Sequence, residues 1–450
     1  MRTRPSRSTP PQYTPIVRAL TAWLPPVTWR QLIRVQGHRH GNQRWSLHAL
    51  ITVLVLMAYA QGDSEAERFL AARAFYVASH QHDRRPGQSL AGFHKALAKL
   101  PLALLRHLPA AVRRRLLHRF GPHGRVAGFL LFGGDGSRLE CPRSAELERR
   151  LGQAGKPDSA PTLWLTALVL LPAGLLWSWQ LGKGTASEQD HVRRLVATLP
   201  PQALLVLDAA FVSYELYQAL LEAGVAFVVR MSSRAYLYTE TTGAGSRRRD
   251  QAVCYWPVKA RRAGRPPVAA RLIRVRAKKA DVWLLTSVRD RQRLSAAPVA
   301  PIYRWRWKNE GLFRTYKRTL AKFKLTGRTV ALVHREAEVS LLALQILLAQ
   351  DVRVRREGGR LVVQTGSARC ALLAWRSTLT LTLGACLGPR QQRQYQRALL
   401  EVQRRARREG GRRIRREWPR RRAYQPPKPP HLRPMPEEVT ALFHRFVDAA

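Results

Sequence analysis

Apolar positions recur with two different periods, and the change from one to the other falls near Gly128. Before residue 120 the spacing is helical and predicts helices at 45–60, 65–78 and 90–117. After Gly128, short apolar runs bounded by Gly and Pro predict strands, with helical stretches between the later ones. A meander followed by strand–helix–strand indicates an α/β unit. The chain is therefore predicted to be an α/β protein with a helical N-terminal region.

The α/β unit is predicted in detail from these runs. Its strands are expected at 129–132, 163–171, 175–181, 203–207 and 226–231, and its helices at 191–199 and 214–223. Residues 232–271 are irregular and rich in Gly, Arg and Pro, whereas strand patterns return at 271–276 and 282–287. This predicts a β-rich insertion at about 232–290. From about Pro301 the pattern is helical again, with a long apolar helix at 339–348.

Composition divides the chain into three predicted parts. These are a helical region at 1–120, a core with its insertion at 121–352, and a C-terminal region at 353–450. Within the last part, residues 404–422 are densely basic, residues 426–430 look like a linker, and a short helix is expected at 437–447. The basic tail is expected to be partly disordered, and it either solubilises the chain or attaches it to DNA.

The net charge of the chain limits the classes of partner that it is expected to bind. Lys and Arg number 78 against 29 Asp and Glu, which gives a net charge of +49. Such an excess of positive charge repels itself unless a polyanion is bound. Nucleic acid is such a polyanion, and clustered Arg residues bind it favourably because its counterions are released. An anionic membrane surface would do so too, but the apolar runs at 50–60 and 163–179 are too short or too interrupted to predict a span. The Arg residues at 113–115 and 119 are either a solvated helix face or part of a DNA-binding region.

The number and spacing of the cysteines indicate the cellular compartment that is expected. Cys141, Cys254, Cys370 and Cys386 are scattered without any C-x-x-C pair. This argues against a zinc site and a disulfide framework, and a reducing cytosol is the simplest setting. The N-terminal MRTRPSRSTP is basic with no apolar run behind it, so it is not predicted to be a secretory signal.

Two aspartates stand out because the chain has few acids and both lie beside apolar strands. Asp135 follows the predicted strand 129–132 and has glycines on both sides, which permit close approach of a backbone or ligand. It is either a site residue or a turn residue of a hairpin. Asp208 ends the buried-strand pattern at 203–207, at the strand end where α/β proteins place ligands. It is either a site residue, or a helix N-cap or turn residue.

Glu310 has the least ambiguous setting. If residues 301–320 form one helix, Tyr303, Arg306, Glu310 and Lys317 fall within about 60° of one another. The apolar residues of this segment centre on a different stripe, at around 220° from Tyr303. An exposed ion pair would explain Arg306 and Glu310, but not the other two residues on the same line. One face of this helix is therefore predicted to bury apolar side chains. The other face is predicted to present a carboxylate and cations close together.

These segments resemble a known family. The spacing Y-x2-R-x3-E-x6-K at 303–317 matches the YREK signature of bacterial insertion-sequence transposases of the insertion-sequence-4 type. DGSRLECPRSAE at Asp135 resembles the first-aspartate segment of that family, and LLVLDAAFVSYELYQALLEAGVAFVVRM resembles its second-aspartate strand, helix and strand. VWLLTSV and YRWRWKNEGLFRTYKRTLAKFKLTGRT resemble the end of its insertion and its Glu helix. The similarity covers roughly residues 128–348.

The resemblance implies a ribonuclease-H-like catalytic core with a β-rich insertion. Asp135, Asp208 and Glu310 would then be the catalytic triad and hold two Mg²⁺ ions, for which Mn²⁺ can substitute. Carboxylates suit this chemistry because ions roughly 4 Å apart activate the attacking oxygen and stabilise the leaving oxygen. The implied activity is cut-and-paste transposition, with strand cleavage at the element ends followed by strand transfer into target DNA.

The same resemblance implies the contacts with DNA. Tyr303, Arg306 and Lys317 would contact phosphates near the cut. Trp283 matches a Trp that stacks on a flipped base in relatives with a hairpin mechanism, and otherwise it is a strand aromatic packed in the core. The implied partner is double-stranded DNA, both terminal inverted repeats and target. A homodimer in the synaptic complex and a cytoplasmic, nucleoid-associated location are expected.

Two other classes of protein remain alternatives at this point. A DNA-binding protein derived from such an enzyme would bind duplex DNA without cutting it under any divalent ion. A basic RNA- or ribosome-binding structural protein would explain the charge of +49, but it would not explain the aligned residues of 303–317 or the strand-end aspartates. A preference for structured RNA over duplex DNA would favour it.

Overall fold

The computed structural model describes residues 15–36, 44–80, 83–152, 159–239, 249–276, 280–357, 360–386, 389–408, 428–437 and 440. The N-terminal MRTRPSRSTP, most of the predicted helix at 437–447 and most of the basic stretch at 404–422 lie outside these residues. Residues 404–408 are helical and 428–430 have no regular structure.

Serine or threonine residues fix where many of the helices begin. Ser46, Ser64, Ser89, Ser187 and Thr329 each accept a hydrogen bond from the backbone N–H three residues on, which satisfies a donor that the first turn leaves free. The helices of the described part are α1 (Pro15–Trp23), α2 (Pro26–Gln36), α3 (Leu47–Tyr59), α4 (Glu65–Ser79), α5 (Leu90–Ala98), α6 (Leu102–Phe120), α7 (Ala145–Leu151), α8 (Glu188–Val196), α9 (Tyr214–Glu222), α10 (Val258–Arg262), α11 (Ala296–Arg304), α12 (Trp307–Arg314), α13 (Val330–Gln350), α14 (Ala368–Cys386) and α15 (Pro389–Arg408).

The predicted helix at 90–117 is two helices. α5 ends at Ala98 and α6 begins at Leu102, with Pro101 at its N-cap. Proline has no backbone N–H to continue α5, but its fixed φ suits the start of a helix. No helix of the described residues is long and apolar enough to cross a membrane.

The strands form one large mixed sheet and one small hairpin. They are β1 (Arg125–Val126), β2 (Phe129–Glu140), β3 (Thr162–Leu170), β4 (Leu175–Lys183), β5 (Ala203–Leu207), β6 (Ala226–Arg230), β7 (Tyr236–Thr239), β8 (Asp250–Tyr255), β9 (Val268–Val275), β10 (Val282–Thr286), β11 (Val352–Glu357), β12 (Arg360–Thr365) and β13 (His431–Pro434). The large sheet has the order β13-β7-β8-β9-β10-β6-β5-β2-β3-β4, with β1 paired to β2, and β11 pairs with β12. The α/β class is therefore confirmed.

The first strands of the sheet set the geometry of the centre. β2, β3 and β4 form an antiparallel meander, and β5 and β6 then run parallel to β2. The carboxyl ends of β5 and β6 therefore lie at one edge of the sheet, beside the second half of β2.

The segment predicted as a β-rich insertion is not a separate sheet in the described residues. β9 and β10 are paired in a ladder that joins β6, so they extend the central sheet. The strand pattern at 282–287 matches β10, but the prediction that 232–271 are irregular is wrong, because β7, β8, α10 and the first residues of β9 lie there. Pairing between strands so far apart in sequence is not encoded locally.

Both faces of the sheet are covered. One apolar cluster joins Leu130, Leu205 and Phe227 with α8, α9, α13 and the N-terminal helices. The second cluster joins Leu131, Val206 and other residues of the opposite face with Val299 and Ile302 of α11. Since side chains alternate along a strand, the odd-numbered positions of β2 face α11 and the even-numbered positions face α8.

Candidate active site

Asp135 lies inside a strand and not in a turn. β2 runs from Phe129 to Glu140, and Asp135 is paired across to Ala167 of β3. The prediction of a strand ending at residue 132 was therefore too short, and the hairpin-turn alternative is wrong. Asp135 and Leu131 both occupy odd-numbered positions of β2. The Asp135 side chain is therefore on the face of the sheet that α11 covers.

Asp208 lies next to Asp135 because of the register between β2 and β5. Gly133 is opposite Val206, and two residues further along each chain come Asp135 and Asp208. Asp208 follows the last residue of β5 directly, and its Oδ1 accepts a hydrogen bond from Ala210 N at 2.7 Å. It is thus the cap of a short 3-10 turn at the carboxyl edge of the sheet, as its position after a buried strand predicts.

The predicted single helix at 301–320 is wrong, because the segment is broken twice. α11 ends at Arg304, α12 begins at Trp307, and residues 315–319 form a π-helical turn. Around the first break the backbone hydrogen bonds join residues three apart instead of four. One of them runs from Arg306 N to Tyr303 O at 3.1 Å. A constant 100° per residue therefore does not apply, and contacts rather than helical phase show where the four residues lie.

Arg306 and Lys317 both reach β2. Arg306 is only 8% exposed, and its Nη1 lies 3.8 Å from Asp135 Oδ2. Lys317 Nζ donates to Ser137 Oγ at 2.7 Å, two residues beyond Asp135 on the same face. The half-buried Tyr303 ring has the Arg306 guanidinium 5.7 Å from its centroid. Burial raises the pKa of Tyr303 above its usual value, so its hydroxyl stays protonated.

The pKa of Asp135 reflects its electrostatic interaction with the two other predicted acids. Burial raises the pKa of Asp135, and the negative charges of Asp208 and Glu310 raise it further. The Gly136 N–H, 2.9 Å from Oδ1, and the Arg306 guanidinium act in the opposite direction. Glu310 itself is exposed on α12. Asp135 therefore interacts with both of the other predicted acids, one beside it on the sheet and one on the covering helix.

Glu188 is a further carboxylate at this edge, and it was not identified from the sequence. A Cβ at Gly136 would overlap the Glu188 carboxylate, so only glycine permits this approach from the α8 face. Burial raises the pKa of Glu188 to about 7, and Asp135 and Asp208 contribute to the increase. The predicted helix began at residue 191, whereas Ser187 caps α8 and accepts from Asp190 N. The S-x-x-D pattern of a helix N-cap was the signal that would have included Glu188 in the first turn.

Asn309 is the second residue that the sequence did not single out. It is completely buried, and neither atom of its side-chain amide has a hydrogen-bond partner among the described residues. A Cβ at Gly133 would lie 2.7 Å from Asn309 Nδ2. Gly133 therefore allows α12 to pack directly on β2, which brings Glu310 down to the strand that carries Asp135.

Trp283 lies apart from this cluster. It is opposite Arg274 in the β9–β10 ladder, and its O accepts from Met231 N just beyond the end of β6. Its neighbours Val282 and Leu284 pack with the α11 face, while Trp283 packs with the opposite cluster. The ring has the Arg274 guanidinium 5.6 Å from its centroid. The ring is thus near the carboxyl edge of the sheet but on the other face from Asp135.

The donor set of this edge fits a hard cation. Asp135, Asp208, Glu310 and Glu188 offer oxygen ligands, which Mg²⁺ prefers. Among the described residues, the group of three donors whose ligand atoms all lie within 4.8 Å of one another is elsewhere, at His48, His80 and Asp83.

Comparisons with known proteins find transposases. Residues 135–346 match the family model described as the transposase DDE domain. The transposase InsG for insertion sequence element IS4 of Escherichia coli (strain K12) is 26% identical over 263 residues, which are 54% of this chain and 58% of the relative. The chain thus matches less than two thirds of that relative's length.

Two solved structures superpose weakly. A piggyBac transposase synaptic complex with hairpin DNA gives a TM-score of 0.43 at 12% identity, over 86% of this chain and 83% of that chain. A Mos1 transposase paired-end complex with left transposon end gives 0.16 at 13% identity, over 42% and 60%. The assignment rests on the sequence matches. Residues 135–346 match the transposase DDE domain, and the similarity to a transposase of element IS4 agrees with the insertion-sequence-4 type predicted from the YREK spacing.

Proposed function

We propose that the protein is the DNA transposase of an insertion sequence, which cleaves strands at the element ends in a metal-dependent reaction and transfers them into target DNA. The observation that carries this is the meeting of Asp135 and Asp208 on adjacent strands beneath the helix of Glu310, within the matched DDE domain. The core is proposed to be ribonuclease-H-like. Its support is the strand order β4-β3-β2-β5-β6, an antiparallel meander followed by two parallel strands.

Asp135, Asp208 and Glu310 are proposed to hold two Mg²⁺ ions, for which Mn²⁺ can substitute. When bound, such ions supply activation of the attacking oxygen and stabilisation of the leaving oxygen. Asp135 lies between the other two and is proposed to contact both ions. Arg306, 3.8 Å from the carboxylate, favours its charged form and so opposes the rise in the pKa of Asp135 that burial causes.

The cations of this edge are proposed to bind DNA phosphate. Lys317 lies beside Ser137, and Arg306 and the Tyr303 hydroxyl lie on the same face. Each would stabilise negative charge that develops on the phosphate. A base-stacking role for Trp283 remains a prediction, and its position on the opposite face does not favour it. Trp307 is 59% exposed, and its ring centroid lies 5.3 Å from the Arg306 guanidinium.

Lys317→Ala is expected to slow cleavage about tenfold to a hundredfold, because one phosphate-binding cation is lost. The dependence of DNA affinity on salt should also become less steep, by about one unit in log K against log salt. Both are measured with a labelled duplex, by gel shift across a salt series and by strand nicking. The matched control is the exposed neighbour Arg318→Ala; an equal loss in the control would contradict a specific role for Lys317.

Glu188 is proposed as a fourth carboxylate of the metal site. In the metal-free protein its raised pKa means that unfolding releases a proton, so stability falls as pH rises from 4.5 to about 7. Glu188→Gln is expected to stabilise the metal-free chain at pH 8 by about 1 kcal/mol, allowing for solvent screening. It should also reduce the stabilisation that Mn²⁺ gives.

Urea unfolding with and without Mn²⁺ measures both effects. Asp190→Asn is the control, since Asp190 lies on the same helix but pairs with Arg193 in solvent. If Glu188→Gln destabilises the metal-free chain, or leaves Mn²⁺ stabilisation unchanged, Glu188 is not part of the metal site.

The partner is proposed to be double-stranded DNA, with a homodimer joining two ends. The net charge of +49 supports a polyanionic partner, and the helical region before residue 120 is proposed to help bind it. The direct test incubates the chain with Mg²⁺ and a duplex that carries the terminal inverted repeats flanking its reading frame. Cleavage at the repeat ends is expected; tight binding without nicking in Mg²⁺ or Mn²⁺ would instead indicate a protein that binds DNA without cutting it.

A further inference from the structure

A second group of metal-ligating side chains lies in the N-terminal helices. His48 is in the first turn of α3, His80 is the C-cap of α4, and Asp83 follows shortly after. One nitrogen of each imidazole and one carboxylate oxygen lie within 4.8 Å of one another. His48 Nδ1 is 4.0 Å from Asp83 Oδ2, and the two imidazole rings are 5.3 Å apart.

We propose that His48, His80 and Asp83 form a binding site for a zinc-class transition-metal ion, separate from the carboxylates of the sheet. A tetrahedral ion with ligands at about 2.1 Å places its donor atoms roughly 3.4 Å apart. The ligand atoms therefore need to approach one another by at most about 1.4 Å, and rotation of the half-exposed Asp83 supplies part of this. Two neutral imidazoles and one carboxylate leave a fourth position for water.

Hydrogen bonds orient the side chains of the cluster, and His48 Nδ1 lies 3.2 Å from the Tyr76 hydroxyl. His80 Nδ1 lies 3.1 Å from Tyr76 O and 2.9 Å from Ser79 Oγ. If Nδ1 carries the proton for the carbonyl, Nε2 is the nitrogen that offers a lone pair; a backbone carbonyl commonly orients a ligating histidine in this way. The Tyr76 hydroxyl donates to Asp83 Oδ2 at 2.8 Å, and the Tyr76 ring stacks on His80 at 4.3 Å.

The ligand chemistry separates the two sites. Imidazole nitrogen suits Zn²⁺ and its neighbours, whereas Mg²⁺ prefers oxygen. The absence of a C-x-x-C pair argued against zinc only where cysteine is the ligand. Because the donors come from the start of α3 and the end of α4, and the centroid of the Trp29 ring of α2 lies 4.7 Å from that of His48, a bound ion would stabilise these helices against one another.

The test uses the full chain, freed of metal by a chelator and then kept in excess Mg²⁺. Titration with Zn²⁺ should give one equivalent bound and a melting temperature raised by about 3 °C at a hundredfold excess over Kd. Co²⁺ in its place should give the visible absorption of a tetrahedral nitrogen-ligated ion. The variants are Asp83→Asn, which lies at the surface and leaves the core intact, and His80→Asn; each should weaken Zn²⁺ binding at least about a hundredfold.

Two controls decide the outcome. The exposed His118→Ala should bind Zn²⁺ as the original chain does, and so should Glu310→Gln, which removes a carboxylate of the other site. The proposal is overturned if no Zn²⁺ binds in excess Mg²⁺, or if binding survives in both Asp83→Asn and His80→Asn. Loss of binding in Glu310→Gln alone would place the ion at the sheet and also overturn it. None of these outcomes depends on DNA cleavage.

Discussion

Glu310→Gln is expected to abolish strand cleavage, with a loss of at least about 10³-fold. The substitution keeps the shape of the side chain but removes the charge that binds a divalent ion, and such an ion contributes several kcal/mol to the transition state. Glu310 is exposed on α12, so the fold should be unaffected. Nicking of a terminal-repeat duplex in Mg²⁺ measures the rate, and a gel shift should show DNA still bound.

The exposed Glu222→Gln, at the end of α9, is the matched control and should cleave at the original rate. Asp208→Asn should behave as Glu310→Gln does, because it removes the ligand at the end of β5. If Glu310→Gln cleaves normally while Glu188→Gln is inactive, the three acids have been assigned wrongly and the carboxylate from α8 replaces the one from α12.

Glu336→Gln is expected to lower the free energy of unfolding by about 3–5 kcal/mol, the largest stability effect that we anticipate. Glu336 is buried on α13, and Lys322 Nζ donates to it at 2.8 Å. The backbone N–H groups of Thr326 and Gly327 donate at 2.7 and 3.0 Å. Although burial raises the pKa of Glu336, Lys322 and these donors hold it below its usual value. The amide would leave Lys322 buried without a counterion, and urea unfolding at pH 7 measures the loss.

Two further variants show whether the buried pair is responsible. Glu148→Gln removes the surface partner of Arg143, 3.5 Å away, and should cost at most about 1 kcal/mol. The double variant Lys322→Met with Glu336→Leu should recover much of the loss, because apolar groups of similar size replace both charges. An equal loss in the single and double variants would point to the Thr326 and Gly327 bonds instead. Since the pKa of Glu336 is lowered, its contribution is present above the usual pKa of a Glu and is lost as pH falls below it.

Local signals in the sequence were reliable where the cause is local. The period of apolar residues predicted β5 and α9 to within a residue, because burial of one face imposes that period. Asp208 was placed correctly, since a buried strand that ends in an acid needs no distant partner to be recognised. The spacing of residues 303–317 identified the family even though the geometry assumed for it, one unbroken helix, was wrong.

Tertiary structure decided whatever depends on residues far apart in the chain. The length of β2 depends on its pairing with β3, which carries Asp135 into the strand despite glycines at 133, 134 and 136. Gly133 and Gly136 allow the close approach of Asn309 and Glu188, which no local pattern encodes. For the same reason the strands of the insertion joined the central sheet.

The sequence by itself thus determined the residue types of the site, the order of the elements and the family to which residues 135–346 belong. Only the tertiary structure decided which side chains meet: Arg306 with Asp135, Lys317 with Ser137, and Glu188 with the edge of the sheet. The physical reason is that periodicity and capping arise within a few residues. Strand register and helix docking are set by burial summed over the whole chain.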